Sequence, residues 1–321
     1  MKTRFQLNGI HHVTGIAGSP QKNYDFYSKT LGLRLVKKTV NQDDVGTYHL
    51  FYSDAVGTPG TDITFFAWND NAKGKNGTRM ITSVSLAIPE GSLSFWIDRL
   101  KAFDVEIINI KELFDENVIH LRDFHGQEIE LVETKDALHR DFIYWKGSKI
   151  PEEFSIRGIH KLTISHIESE PTFNFLTNKL GFNLLREKDN LIRFGLENGR
   201  SGQLLDLTIE KEKVRGYYGV GTIHHVAWRV EDEISHVEWW KYISSLDVSV
   251  SDVIDRFWFK SIYFREPGGV LFEIATDGPG FSIDESTDEL GTRLVLPPWL
   301  EKYRAEIERN LFTINVQNKI I

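Results

Sequence analysis

The sequence contains no cysteine. That excludes a disulfide framework, a thiolate nucleophile and any sulfur-ligated metal site at once. It also lacks a long apolar run: nothing in it approaches the ~20 residues that a membrane-spanning helix needs. The opening stretch MKTRFQLNGIHHV has no uninterrupted apolar segment of the kind that marks a secretory signal. Positive charge is in deficit, with 38 Lys and Arg against 46 Asp and Glu and a formal net charge of −8. A basic stripe for nucleic acid or an anionic membrane is therefore not expected. Walker and dinucleotide glycine patterns are missing, as is the GxSxG elbow of α/β-hydrolases. What is present is ordinary globular composition, 40% hydrophobic and 26% charged over 321 residues, a length that suits two domains. The expectation is a cytoplasmic, soluble protein that acts on a small molecule.

The chain repeats itself. GIHHVTGI at Gly9 is echoed by GIHKLTIS at Gly158, and TLGLRLVKK around Leu31 by KLGFNLLRE around Leu180, both at an offset of 149 residues. Two further segments follow the same plan, from Met80 (MITSVSLAI) and from Gly221 (GTIHHVAWRV). Each reads as a strand, a helix and then strands. In the first, HHVTGIA has strand composition, and SPQKNYDFYSKTLGL offers Ser19 as N-cap, Pro20 in the first turn and Gly32 as a stop. The expected fold class is α+β: four βαβββ modules paired into two half-open barrels, with a C-terminal helix. The expected organisation is residues 1–147 for the first two modules, 148–277 for the second two, and 278–321 for a tail. In that tail LPPWLEKYRAEIERNLF would form a helix with Leu300, Tyr303, Ile307 and Leu311 on one face. That face would cover the body or serve a homo-oligomer.

Aligned through the repeat, the opening strands carry His12, Ser83, Lys161 and His225 at one position. The closing strands carry Glu130 and Glu273, each four residues past a glycine; module one offers Thr64 or Phe65, according to register. A ligand set is complete only if modules one and four share a barrel, giving His12, His225 and Glu273. The other barrel would hold Ser83, Lys161 and Glu130, and an ammonium has no lone pair to give a cation. Two imidazoles and one carboxylate on one side of a metal form the facial triad that suits non-heme Fe(II) and leaves positions open for substrate and O₂. Structural zinc closes its tetrahedron with four protein ligands, and no fourth is evident. A lone histidine in a strand is more often packing than ligand; three groups coincident in repeat register point the other way. Because side chains alternate along a strand, His11 and His224 cannot face the ion squarely and fall to the rim, to a supporting shell or to structure. If Pro267–Gly269 forms a three-residue turn, Tyr263 lies opposite Glu273 and could donate to a substrate oxygen. Arg256 would hold an anionic ring oxygen or pair with Asp255 or another acid. The NQDD run (Asn41–Asp44) reads as a solvated turn or a pocket mouth, and His49, His120, His125 and His139 show no ligand spacing.

These residues resemble the vicinal oxygen chelate superfamily, which spans glyoxalases, bleomycin resistance proteins and extradiol dioxygenases. GIHHVTGI, FYSKTLGLRLVKKTVNQDD, IHHVAWRV and REPGGVLFEIATD resemble more closely its ring-cleaving hydroquinone 1,2-dioxygenase branch. The resemblance implies an Fe(II) dioxygenase opening a para-hydroquinone beside one hydroxyl with O₂, in aromatic catabolism or quinone detoxification. It implies a metal triad of His12, His225 and Glu273, with His11, Thr14, His224, Arg256 and Tyr263 around the substrate, and the pairing of modules one and four. Manganese could replace iron, and zinc, which binds such sites more tightly than Fe(II), could occupy the site in purified protein. A glyoxalase-like isomerase or thiol transferase, or a non-catalytic aromatic- or drug-binding protein, are the alternatives on this scaffold.

Overall fold

Alternating apolar and polar residues between turn signals give sixteen strands in the computed structural model, which describes residues 6–69 and 71–316. Module one comprises β1 (Ile10–Ala17), helix α1 (Pro20–Tyr24), and strands β2 (Arg34–Asn41), β3 (Asp44–Ser53) and β4 (Asp62–Ala67). Module two has β5 (Met80–Ile88), α2 (Leu93–Ala102), β6 (Ile107–Leu113), β7 (Glu116–Arg122) and β8 (Glu128–Glu133). Module three has β9 (Ile159–His166), α3 (Glu170–Asn178), β10 (Asn183–Lys188), β11 (Leu191–Gly195) and β12 (Leu204–Ile209). Module four has β13 (Thr222–Val230), α4 (Glu233–Ser244), β14 (Ile254–Asp255), β15 (Lys260–Arg265) and β16 (Leu271–Thr276). Among the described residues no helix is long and apolar enough to cross a membrane.

The strands form two eight-stranded sheets, in the orders β14-β15-β16-β13-β1-β4-β3-β2 and β10-β11-β12-β9-β5-β8-β7-β6. Module one thus shares a sheet with module four, and two with three. Both sheets draw one module from either side of residue 147. The opening strands sit at the sheet centres, so β1 is buried along its whole length. Helices pack on the outer faces through fully buried aromatics such as Trp96 of α2 and Trp239 of α4. Burying such a ring is worth about 2–3 kcal/mol of transfer free energy, so these contacts set where each helix lies.

The first helix starts as its sequence predicts: Ser19 accepts from the Lys22 amide, Pro20 fills the first turn and Gly32 ends it at φ +74°. Its second half is π-helical over Asp25–Thr30 rather than α-helical. The C-terminal helix is shorter than the apolar stripe predicts. A 3₁₀ turn (Glu301–Tyr303) precedes α5 (Arg304–Asn310). Ile307 is buried with Val40 and Leu296, and Leu300 and Leu311 pack on that cluster, whereas Tyr303 is exposed. The stripe therefore covers β2 of the first sheet.

One irregularity recurs four times. Between β1 and β13 the pairing skips His11 on one strand and His224 on the other; between β5 and β9 it skips Thr82 and His160. Each opening strand thus carries one extra, bulged residue immediately before His12, Ser83, Lys161 or His225. A bulge bends a strand and re-aims the side chain beside it, which is why bulges gather at functional sites.

Candidate active site

The bulges explain the paired histidines. On regular strands His11 and His12 would point to opposite faces. On a bulge both rings come together, and His11 Nδ1 lies 2.9 Å from His12 Nδ1, just as His224 Nδ1 lies 2.7 Å from His225 Nδ1. With Nε2 of His12 and His225 left as a lone pair, each Nδ1–H donates to the Nδ1 of its neighbour. His11 and His224 then fix the tautomer and ring angle of the residue beside them, as supporting groups do around metal ligands. Both are kept neutral: burial, then the adjacent His12, holds His11 down to about 3, and burial, then His225, holds His224 down to about 3.

His12, His225 and Glu273 converge so that one ligand atom from each lies within 4.8 Å of the others, all three side chains buried. Glu273 Oε2 is 2.9 Å from His225 Nε2 and 3.4 Å from His12 Nε2, yet it receives no well-directed hydrogen bond. Its other oxygen accepts from Ser261 Oγ at 2.5 Å. Burial alone would lift the Glu273 carboxyl, but the nearby His12 and His225 outweigh it and hold the group well below the usual carboxylate range. A buried carboxylate oxygen flanked by two imidazole nitrogens without proper hydrogen-bond angles is the donor set that a divalent cation fits.

The parallel strand pairs define the fourth position. Ala227 is level with Glu273, Ser85 with Glu130, Thr163 with Asp206, and Thr14 with Thr64. The equivalent of Glu273 in module one is therefore Thr64, not Phe65. Its hydroxyl is 2.8 Å from Thr14 Oγ1 and 3.0 Å from His49 Nε2, and Thr14 Oγ1 is 3.0 Å from His225 Nε2. His49 was not legible from ligand spacing, but it lines the cavity over the triad with Phe51, two residues on along the same face of β3. A single imidazole in the otherwise apolar run HLFY was its one signal. Ser261, on the Tyr263 face of β15, and Asp206 were likewise not singled out by the repeat.

Tyr263 is paired directly opposite Glu273 across the Pro267–Gly269 turn. Burial, then the Glu273 charge, pushes its phenol well up, so it stays protonated. The Arg256 guanidinium stacks 5.6 Å from the Tyr263 ring centre and pairs with Asp43 at 2.9 and 3.3 Å rather than with Asp255. Gln42 donates to the Arg256 carbonyl, so the Asn41–Asp44 turn forms the pocket mouth. The cavity beneath is about 30 Å³, walled by Phe51, Phe66, Trp258 and Phe259. His120 and His139 lie away from it; His120 bonds Glu128 of β8. His125 lies against Gly18 and Gly221, beside neither triad.

The second barrel has the same four positions with different chemistry. Lys161 Nζ lies 2.7 Å from Glu130 and 3.3 Å from Asp206, all buried, with Ser85 donating to Glu130 at 2.6 Å. Burial would lower the Lys161 ammonium, but Glu130 and Asp206 outweigh it and raise it. An ammonium stands where the first barrel gathers lone pairs.

A family model described as "Glyoxalase/Bleomycin resistance protein/Dioxygenase superfamily" matches residues 9–131 and 158–274, both halves of the repeat. The chain belongs to that superfamily. Among its relatives, "Putative ring-cleaving dioxygenase MhqA" of Bacillus subtilis (strain 168) is 43% identical over 313 residues, covering 95% of this chain and 98% of that one. "Chlorohydroquinone/hydroquinone 1,2-dioxygenase" of Sphingobium indicum is 32% identical over 312 residues, covering 95% and 96%. A crystal structure of a "putative dioxygenase" from Bacillus subtilis superposes with a TM-score of 0.92 at 38% identity, over 98% of this chain and 100% of that one. Glyoxalase I from Zea mays superposes at 0.61 with 15% identity, over 84% and 92%, and shares the fold.

Proposed function

We propose that this superfamily member is a ring-cleaving dioxygenase that opens a para-hydroquinone next to one hydroxyl, with iron(II) held by His12, His225 and Glu273. The observation that carries the reading is the convergence of His12, His225 and Glu273 beside an aromatic-walled cavity, with Thr64 at the fourth position. Relatives named as ring-cleaving and hydroquinone dioxygenases over nearly the full chain support the same chemistry.

Iron(II), if held there by His12, His225 and Glu273, would supply the electron path between an aromatic ring oxygen and O₂. The remaining work falls to the chain's own side chains. The aromatic walls hold the ring and exclude water. A hydroquinone has no vicinal hydroxyl pair to chelate a metal, so polar groups at the wall must orient it. Tyr263, kept protonated, donates to an oxygen of the ring or of the opening product. Arg256, beside Tyr263, holds negative charge that develops on the distal ring oxygen. Neutral His49, lowered first by burial, receives or relays a proton through Thr64. His11 and His224 keep the ligand imidazoles in place.

The test is an oxygen electrode with protein loaded with iron(II) without air. Hydroquinone and its methyl and chloro derivatives should each consume one O₂ per ring lost, and zinc-loaded protein should consume none. Full iron occupancy without uptake across that panel would refute the reading. A glyoxalase-type isomerisation is favoured only by the shared fold; Thr64, where a fourth ligand would stand, weighs against it.

A further inference from the structure

A second cleft, about 570 Å³, lies where two of the three linkers between modules cross. Residues 75–78 bridge 215–217 by backbone hydrogen bonds, Lys75 N to Tyr217 O and Gly216 N to Thr78 O. The chains approach so closely that a Cβ on Gly77 would stand 2.3 Å from the Gly216 amide. The crossing carries three arginines to one place: Arg79, Arg215 and Arg265. In a chain of net charge −8 this cleft is lined by no carboxylate at all. Arg79 and Arg265 each give one N–H to a turn carbonyl, Gly268 and Gly269, and Arg215 gives none. Among the described residues none of the three has an acidic partner, and all three are exposed, so their remaining guanidinium donors are open to a ligand from solvent.

The cleft adjoins the metal site. Arg265 follows Ser261 and Tyr263 on one face of β15, about 7 Å along the strand from Tyr263. The ring of Tyr218, which also lines the cleft, lies 5.7 Å from His224, the partner of ligand His225.

We propose that Arg79, Arg215 and Arg265 form a carboxylate site serving the triad, for a six-carbon unsaturated acid. The inference rests on the dioxygenase reading. Cleavage beside one hydroxyl breaks one ring C–C bond and oxidises the ring by four electrons while O₂ is reduced. One oxygen atom goes to each new end, giving one carboxylic acid and one aldehyde, and the acid releases its proton to solvent. A neutral substrate thus leaves as an anion, next to a cluster of unpaired guanidinium groups. A carboxylated hydroquinone would bring the same group on the way in.

The experiment uses the metal-free full chain and calorimetric titration with muconate, a ring-opened six-carbon diacid, against hydroquinone as neutral probe. Wild type should prefer muconate, and raised salt should weaken its binding. The triple variant Arg79→Gln/Arg215→Gln/Arg265→Gln should lose at least tenfold in muconate affinity. Arg215→Gln alone, whose side chain makes no hydrogen bond or ion pair among the described residues, should lose a measurable part and serves if the triple variant fails to fold. Muconate bound no better than hydroquinone, or equally well by folded variants, overturns the site. Oxygen uptake by iron-loaded protein then separates the sources. Uptake with 2,5-dihydroxybenzoate that falls on arginine substitution assigns the carboxylate to substrate. No uptake with that compound but uptake with hydroquinone assigns it to product. Arginine-dependent muconate binding without uptake on any hydroquinone would sink the dioxygenase reading while the carboxylate site stands.

Discussion

Replacing Glu273 by Gln removes one charge and little else. The amide keeps the volume, and its carbonyl oxygen can still accept from Ser261, which lies 2.5 Å from Glu273 Oε1. What disappears is the anionic oxygen set between His12 Nε2 and His225 Nε2. Removing one partner of a buried charge pair costs about 3–5 kcal/mol, and at about 1.4 kcal/mol per tenfold the metal should bind more than a hundredfold more weakly. Free metal at 100 times the wild-type dissociation constant stabilises wild type by about 2.7 kcal/mol. The same concentration is then no more than about one dissociation constant for Glu273→Gln, worth about 0.4 kcal/mol or less. The assay is urea unfolding of metal-free protein with and without manganese(II), with metal content measured after desalting. Wild type should gain the larger increment and retain about one equivalent; the variant should gain almost nothing and retain almost none. A variant that keeps the full increment shows that Glu273 is not a ligand, and the assignment of the site fails with it.

Thr64→Glu would place a carboxylate at the pseudo-symmetric counterpart of Glu273; metal should be retained more tightly while oxygen uptake with hydroquinone falls at least tenfold, read by dialysis against a chelator and by oxygen electrode. Tyr263→Phe should leave metal content near one equivalent and lower kcat about 10²-fold or more, read by steady-state kinetics; an unchanged kcat removes the phenol from proton transfer. Lys161→Met in the other barrel leaves Glu130 with only the exposed Lys111 and Asp206 with only Arg193, so stability should fall by about 3 kcal/mol with metal content intact, read by denaturant unfolding. At Glu116, burial would raise the carboxyl, but its hydrogen bond to His160 and the charges of His160 and Arg193 outweigh that and hold it at about 2. A depressed folded pKa contributes stability that is complete above the unfolded value, about 4.3, and is lost as pH falls towards 2. Glu116→Gln should therefore be less stable than wild type at pH 6, with the difference shrinking below about pH 4 and vanishing only as pH falls through 2.

The repeat made the module plan legible because its four units share a gapless or nearly gapless register, and β-formers alternate with turn residues around each. His12 and Lys161 each follow their opening glycine by three residues, whereas Ser83 and His225 were reached through the looser echoes from Met80 and Gly221. The bulges that precede those residues were not legible: a bulge is a property of how two strands pair, and nothing in IHHV distinguishes a skipped residue from a paired one. For the same reason Thr64 and Phe65 could not be told apart until β4 lay beside β1. His49 escaped because its role depends on β3 folding over the site, a contact between positions with no shared spacing. Arg256 found Asp43 rather than its sequence neighbour Asp255, since adjacent strand residues point apart and the β2–β3 turn closes over β14 from the other end of the sheet. The C-terminal stripe was read with the right polarity but too long, because a helical period continues through a 3₁₀ turn without any change in pattern.

The two barrels show one arrangement solved twice. Each brings two opening-strand residues and two closing-strand residues to its centre, and each must neutralise whatever carboxylate the closing strands carry there. The second barrel carries two, Glu130 and Asp206, and one opening-strand residue, Lys161, covers both with a covalently tethered cation. Arg193, bidentate on Asp206, completes the balance. That cluster needs nothing from solvent, and an ammonium that is three donors and no acceptor leaves no vacancy for a metal. The first barrel carries one carboxylate and no tethered cation. Its opening strands give imidazoles, whose nitrogens are acceptors when neutral, and the Nδ1 contacts to His11 and His224 turn Nε2 inward on both. In the proposed reading an external metal ion would supply the balancing charge. The two barrels thus differ in what their opening strands bring to the centre: the ammonium of Lys161 in one, the imidazoles of His12 and His225 in the other.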